Sequence, residues 1–515
     1  MFPLLLACTQ DPGAKDTTPD LNDTAPSCTD ERTWYADDDG DTFGDAGDSF
    51  FGCEPSDAFV LDASDCDDTD AAVNPAVAED ACEDGVDANC DGADPACGFE
   101  PVEDLAEAYT LTGADAEDAG HRLEVSDLTG DGRDDLLIAA MRSNENGGGG
   151  YIYAPDALAS GTLDALALHV RGDTTTWGAG RAIGTGDMDG DGVADLAFGS
   201  PFGAIGGMFV LLGPAADERS LADGIRLMGQ AGDYSGHGGD VGDVDGDGVE
   251  DVVVGAYNSE GGLGGAFVSY GPVTTDVDLY SEADVHLIGD GGRTGRWIRA
   301  DGDFNGDGVS DILVASPTSE VEVPGGGGIY MVYGPADALV DLPTTFDGRY
   351  IGAYPGEAAG EGLGAGDIDD DGLDDVLMGS YGSDFTGAGH VYFGPAAGQR
   401  DTLDADVLLM GGAASQLGSD FEVGDLDGDG DAELLVGGIS TAGGAWIFDD
   451  LVPGQYDASD ATSVMPTLHD GDYTGAAVEI GDLDGDGAME AILGAPNATT
   501  NESLSGVVFI VEYAL

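Results

Sequence analysis

Asp187-Met188-Asp189-Gly190-Asp191-Gly192-Val193-Ala194-Asp195, followed at once by the apolar run Leu196-Ala197-Phe198, is the stretch whose reading decides the fold. Acidic side chains occupy positions 1, 3, 5 and 9 of this segment. A hard cation such as Ca²⁺ takes about six to eight oxygens at roughly 2.3–2.6 Å; carboxylates at alternate positions of a tight loop, with the carbonyl of position 7, can supply them. The glycines let the backbone turn where a Cβ would clash. The stretch therefore reads as a cation-binding loop feeding a β-strand. It recurs seven times, starting at Asp127, Asp187, Asp243, Asp303, Asp367, Asp425 and Asp482, with a period of 56 to 64 residues. Self-similarity at such a period marks a repeat architecture.

Outward from the loop, each unit has a Gly-rich lead-in, a short strand, the acidic loop, an apolar strand, a Gly-Ala-Pro-like turn, further glycines and a third apolar strand. The second strands are read at 136–139, 196–198, 252–254, 312–314, 376–378, 434–436 and 491–493. Turns such as Gly199-Ser200-Pro201 and Gly494-Ala495-Pro496 follow them, and third strands often end in Gly-Pro, as at Gly213-Pro214 and Gly271-Pro272. Short strands joined by such turns, with no helical period, indicate an all-β radial repeat.

This unit resembles the FG-GAP repeat of the integrin α-subunit head. The resemblance covers about 410 residues and implies a seven-bladed β-propeller over 104–515, with Ca²⁺ loops on one face. The Phe-Gly part of the motif is altered here, for example to Trp177-Gly178 and Leu417-Gly418. Carried over by position, the ligands of repeat one would be Asp127, Thr129, Asp131 and Asp135, and those of repeat two Asp187, Asp189, Asp191 and Asp195. Repeat three offers Asp243, Asp245, Asp247 and Asp251; repeat four offers Asp303, Asn305, Asp307 and Asp311. Repeat five offers Asp367, Asp369, Asp371 and Asp375, repeat six Asp425, Asp427, Asp429 and Glu433, and repeat seven Asp482, Asp484, Asp486 and Glu490. Thr129 and Asn305 each remove a formal charge, so those two loops are expected to bind more weakly. Asp370 replaces the glycine of position 4 and must adopt a left-handed backbone there at some cost. These sites are expected to be structural, since each loop can fill its own metal's coordination.

The chain carries 14 Lys and Arg against 103 Asp and Glu. Such a surface repels nucleic acid and anionic lipid heads and attracts cations. No segment approaches the roughly 20 apolar residues of a membrane span. Residues 1–8 end in Leu5-Leu6-Ala7-Cys8, which resembles a bacterial lipobox. Cys8 would then be lipidated and be the one membrane attachment, with no Asp directly after it, which leans toward the outer membrane. Residues 9–27, rich in Asp, Thr and Pro, read as a disordered tether.

Residues 28–98 form a second region that holds Cys28, Cys53, Cys66, Cys82, Cys90 and Cys97. Six cysteines in an exported chain are expected to form three disulfides, whose pairing stays open. Asp37, Asp39, Asp41 and Asp45 repeat the 1, 3, 5, 9 spacing. Trp34-Tyr35-Ala36-Asp37, Asp65-Cys66-Asp67-Asp68 and Asp87-Ala88-Asn89-Cys90-Asp91-Gly92 resemble the Cys/Asp-rich metal-binding motif of bacterial secreted proteins. That resemblance implies a small stapled domain with bound Ca²⁺; zinc fits less well, since no His lies here and oxidised cysteines do not ligate.

Other signals are weaker. Arg171-Gly172-Asp173 sits where other repeats have Met-Gly or Ile-Gly, so it reads as repeat register. The Asp-Gly-Asp-Gly runs cannot cradle phosphate against their own carboxylates. His169, His286 and His469 fall at similar strand positions. No nucleophile-base set or carboxylate pair stands out. The expectation is an extracytoplasmic Ca²⁺-binding propeller that binds a protein or glycan and is not an enzyme. The alternatives are a polysaccharide- or lipid-degrading enzyme on the same scaffold and a purely structural envelope protein. One more expectation concerns closure: the last unit lacks its outer strand, and 107–113 supplies a matching one to pair with Val507–Glu512.

Overall fold

The computed structural model describes residues 32–36, 43, 45–52, 59–61 and 64, and then 105, 108–114, 117–142, 147–155, 157–172, 176–382, 386–412, 414–440, 443–469, 471–500 and 503–512. The chain divides into two units, Met1–Cys97 and Gly98–Leu515. In the first, the strand Arg32–Ala36 pairs antiparallel with both Asp45–Gly52 and Phe59–Val60. The six cysteines expected to pair, and Asp37, Asp39 and Asp41, lie outside the described residues; Asp45 opens the strand Asp45–Gly52.

The second unit is an all-β, seven-bladed propeller. Its blades start at the inner strands Ala119–Ser126, Ile183–Gly186, Ser235–Gly242, Ile298–Gly302, Ala359–Gly366, Leu417–Gly424 and Ala477–Gly481. From each inner strand the chain passes through the acidic loop into an apolar second strand, and then outward through antiparallel neighbours.

The second strands are buried at every position, as in Asp135–Ala140. Both faces of a blade pack against neighbours, so these strands read as continuous apolar runs rather than alternating ones. Alternate side chains of one strand feed different interfaces. Leu136 and Ile138 pack with Ile492 and Val508 of the last blade, whereas Leu137 and Ala139 pack with Phe198 and Phe209 of the second.

Glycine is needed where blades converge on the axis. A Cβ on Gly242 would lie 1.8 Å from the carbonyl oxygen of Ala300 in the next inner strand. Gly418, from the altered Phe-Gly pair, has φ of +91° and would place a Cβ 2.6 Å from the Ala388 oxygen.

The ring closes as expected. Tyr109–Thr112 pairs antiparallel with the C-terminal strand, matching Val507 with Thr112 and Ile510 with Tyr109. A further device was not visible in the sequence: a short segment from the following repeat adds in parallel to an outer strand. Arg219–Ser220 joins Leu168–Arg171, and Gly161–Thr162 joins Tyr109–Thr112 in the same way. One sequence expectation needs correcting. His169 and His286 lie in outer strands, but His469 falls beyond the strand Ser463–Pro466 and is 82% exposed.

Candidate metal centres and the opposite face

Each acidic loop folds around its first aspartate. In the second repeat, Asp187 Oδ1 accepts from the amides of Gly190 at 2.8 Å and Asp191 at 2.9 Å, and Oδ2 accepts from Gly192 at 2.7 Å. Asp189 and Asp191 cap the next turns, accepting from the amides of Asp191 and Val193 at 3.1 and 3.0 Å. Gly190 and Gly192 take φ of +79° and +87°, which L side chains seldom adopt. In repeat five Asp370 occupies the equivalent of Gly190 with φ of +55°.

The ninth residue opens the second strand and is buried. Asp195 accepts from the amides of Met188 at 3.0 Å and Gly213 at 2.6 Å, tying the loop to the Gly-Pro end of the third strand. Asp251 does the same with Val244 at 2.9 Å and Gly271 at 2.7 Å. Burial pushes these carboxyls up, Asp195 to about 6 and Asp251, Asp311 and Asp375 to about 7. Glu433 and Glu490 are pushed up to about 8 by the same cause.

Five loops gather three acidic ligand atoms within 4.8 Å of one another. In repeats two, three and six these come from positions 1, 3 and 9: Asp187, Asp189 and Asp195; Asp243, Asp245 and Asp251; Asp425, Asp427 and Glu433. In repeats five and seven they come from positions 1, 3 and 5: Asp367, Asp369 and Asp371; Asp482, Asp484 and Asp486. Glu433 Oε1 is buried with no hydrogen-bond partner beside Asp425 and Asp427, an orphan acceptor that a cation would satisfy. The donor set is all oxygen and suits a hard divalent ion.

Repeats one and four, which carry Thr129 and Asn305, form no such group among the described residues. There the protein supplies its own positive ends. Arg133 pairs with Asp131 at 2.8 Å, and Asn305 Nδ2 donates to both oxygens of Asp311 at 3.2 and 3.3 Å.

Neighbouring loops are also linked. The Asp187 amide donates to Glu250 Oε2, and the Glu250 amide to the Asp187 carbonyl, both at 3.1 Å. Asp303 and Asp374 repeat the exchange at 2.7 and 3.2 Å. These exchanges tie the loops of repeats two and three, and of repeats four and five, together on one face of the propeller.

The opposite face is built by the segments that enter inner strands and leave second strands. Large apolar side chains are exposed there: Trp177 (55%), Phe202 (41%) and Tyr354 (58%) among them. Phe202 packs edge-on against Tyr234 at 6.2 Å, and Tyr234 stacks on Tyr257 at 4.8 Å. His237 bridges Tyr257 at 4.8 Å and Trp297 at 5.5 Å, carrying the aromatic row inward to the axis. Sequence reading missed this row, because its members come from three repeats and meet only across the junctions between blades.

Comparison with known proteins agrees with this architecture. The FG-GAP repeat model matches residues 119–154 and 179–211, and the Cu-binding MopE model, a metal-binding motif, matches residues 65–94. Integrin alpha pat-2 of Caenorhabditis elegans is 30% identical over 222 residues, covering 40% of this chain and 18% of that protein. Human integrin alpha-IIb is 32% identical over 160 residues, 27% of this chain and 15% of that one. Bovine phosphatidylinositol-glycan-specific phospholipase D is 29% identical over 161 residues, 29% and 19% of the respective chains. The match thus spans less than a fifth of each of these relatives. The FG-GAP match thus falls on two of the seven repeats that build the propeller, residues 65–94 carry a match to a metal-binding motif, and the chain is similar in sequence to integrin α-subunits over two fifths of its length.

Proposed function

We propose that the protein is an extracytoplasmic, Ca²⁺-stabilised binding module that holds a protein or glycan ligand on the face opposite its metal loops, without turning it over. The observation that carries this reading is the exposed aromatic set Trp177, Phe202 and Tyr354 on that face. Aromatic side chains bury large area at small entropic cost and dominate binding surfaces. The connections on this face vary in length between repeats, while the metal loops keep a constant spacing. A rigid scaffold presenting variable loops is a common arrangement for recognition. The division of labour follows: Ca²⁺ in the gathered loops neutralises clustered carboxylates and holds the scaffold, and the opposite face engages the ligand. No helix among the described residues is long and apolar enough to cross a membrane, and lipidation at Cys8 would provide surface attachment.

The test is binding of the Ca²⁺-loaded chain to glycan and extracellular-protein arrays, followed by variants. Trp177→Ala combined with Phe202→Ala, or replacement of the 320–328 connection, should lower affinity about tenfold or more. Neither change should move the melting temperature by more than a few degrees, because both side chains are exposed and the replacement keeps the buried glycines 326–328 that enter the third strand. Turnover of a polysaccharide or lipid at a catalytic rate would replace this reading with the enzymatic one.

A further inference from the structure

Four of the chain's 14 basic residues, Arg122, Arg142, Arg181 and Arg296, line one cavity of about 280 Å³ together with Trp297. The cavity lies where the ring axis meets the face opposite the metal loops, since its walls are the starts of inner strands and the ends of second strands. Its lining carboxylates are Asp118 and Glu361, so the lining has two positive charges in excess, in a chain of net charge −89.

The pairing inside the cavity is incomplete. Arg142 is matched by Asp118 at 3.0 Å, and Arg122 stands 4.0 Å from Asp420 of the adjoining channel. Arg296 meets Glu361 at 3.5 Å, but its buried Nε makes no hydrogen bond. Arg181 is 9% exposed, and its guanidinium donates to His121 Nε2 at 3.0 Å and lies 4.3 Å from the Trp297 ring centre. Among the described residues no carboxylate pairs with it. Burial and Arg181 itself hold His121 neutral, so that contact supplies no counter-charge. A buried cation without a partner is unfavourable, and an incoming anion would remove the penalty.

We infer that this axial cavity binds a small carboxylate-bearing ligand, whose carboxylate seats against Arg181 and Arg296 beside Trp297. The adjoining channel adds Glu124, Asp240, Asp420, Glu422 and Glu479 against Arg299, so the positive excess is local to Arg181 and its neighbours and favours a monoanion over a polyanion. Planar guanidinium forks match a carboxylate in two-point contact. The volume falls just short of the ~300–1,000 Å³ typical of drug-sized ligands, so the occupant is no larger than about one sugar acid. This deepens the reading of the loop face as the ligand face and rests on it.

The experiment is calorimetric titration of the full Ca²⁺-loaded chain with sodium D-glucuronate, sodium glutarate and neutral D-glucose. Glucuronate is expected to bind at one site and glucose not at all. Binding of glutarate as well would show that a carboxylate suffices, and binding of glucuronate alone would make the ligand a sugar acid. Arg181→Gln should weaken glucuronate binding about tenfold or more, while Arg226→Gln, on an outer strand, should leave it unchanged. Glucuronate should raise the melting temperature of the wild type and not of Arg181→Gln, whose own melting temperature should hold or rise once the unpaired charge is gone. If Arg181→Gln fails to fold, Arg296→Gln probes the same contact. The inference is overturned by absence of acid binding up to about 10 mM, by equal binding of glucose, or by undiminished binding in the folded Arg variant. Such a result leaves array binding by the aromatic face intact, whereas failure of the arrays with glucuronate still bound would remove only the adhesion reading.

Discussion

Closure of the propeller rests on four residue pairs, and Leu111 is their centre. It is fully buried in the interface between the last and first blades, among Leu123, Leu136, Ile138, Ile492, Val508 and Ile510. Leu111→Ala should cost about 3 kcal/mol, near the lower end of the range for fully buried leucines. With an unfolding entropy of roughly 2.1 cal/mol/K per residue, the propeller unit should then melt about 3–4 °C lower. Deleting 104–113 goes further. It removes Leu111 and the 1%-exposed Leu105, worth together about 4–5 kcal/mol of burial, and ladder hydrogen bonds worth roughly 1 kcal/mol each. A total near 8 kcal/mol, on the same entropy scale, should lower the melting temperature by roughly 9 °C. Scanning calorimetry with limited proteolysis reads both variants. A synthetic peptide of 105–113 should partly rescue the deletion by adding back the strand. Leu339→Ala, at a 64%-exposed position in another blade, is the control and should not move the transition. A deletion variant melting within about 2 °C of the parent would refute the closure argument.

Two further predictions concern charge. Removing metal should lower the melting temperature, and Ca²⁺ should restore it better than Mg²⁺, which tolerates crowded all-protein cages poorly. At ~1 mM Ca²⁺ and a Kd of ~10⁻⁴ M each site contributes about 1.4 kcal/mol, so the five gathered loops give about 7 kcal/mol, or roughly 8 °C; an unchanged melt in excess chelator would refute the stabilising role. In metal-stripped protein, stability should fall as pH rises from 5.5 to 8. Asp251, Asp311, Asp375, Asp240 and Glu422 titrate in the folded state at about 7 because burial disfavours their charged forms, against roughly 4 when unfolded. The folded chain therefore binds more protons, and this stabilisation is full below about pH 4 and lost as pH rises through about 7. Differential scanning fluorimetry across this window should show the fall, reduced when Ca²⁺ is present, and a rise instead would contradict it.

What the sequence by itself determined was the loop and strand order within one repeat. Asp187, Asp189 and Asp191 encode their own loop, because each of these carboxylates caps amides two to five residues away. The apolar run that follows is legible as a strand buried on both faces, since every residue from Asp195 to Gly199 is buried. Even the closure by 107–113 could be counted, because six complete units left one outer strand missing. The missing acidic ligand of repeats one and four was visible as Thr129 and Asn305, although the contacts that the Arg133 guanidinium and the neutral Asn305 amide make to the remaining aspartates were not. Only the tertiary structure decided which residues of different repeats meet. Arg122, Arg181 and Arg296 are separated by 59 and 115 positions, yet all three lie over Trp297, at 4.5, 4.3 and 5.5 Å. Arg122 lies in the first inner strand and Arg181 and Arg296 just before the second and fourth, and which side chains turn toward the axis depends on how seven blades converge there. The row Phe202, Tyr234, Tyr257, His237 and Trp297 has the same origin. Local chemistry is written in short spacings, whereas a surface shared between blades exists only once the ring has closed.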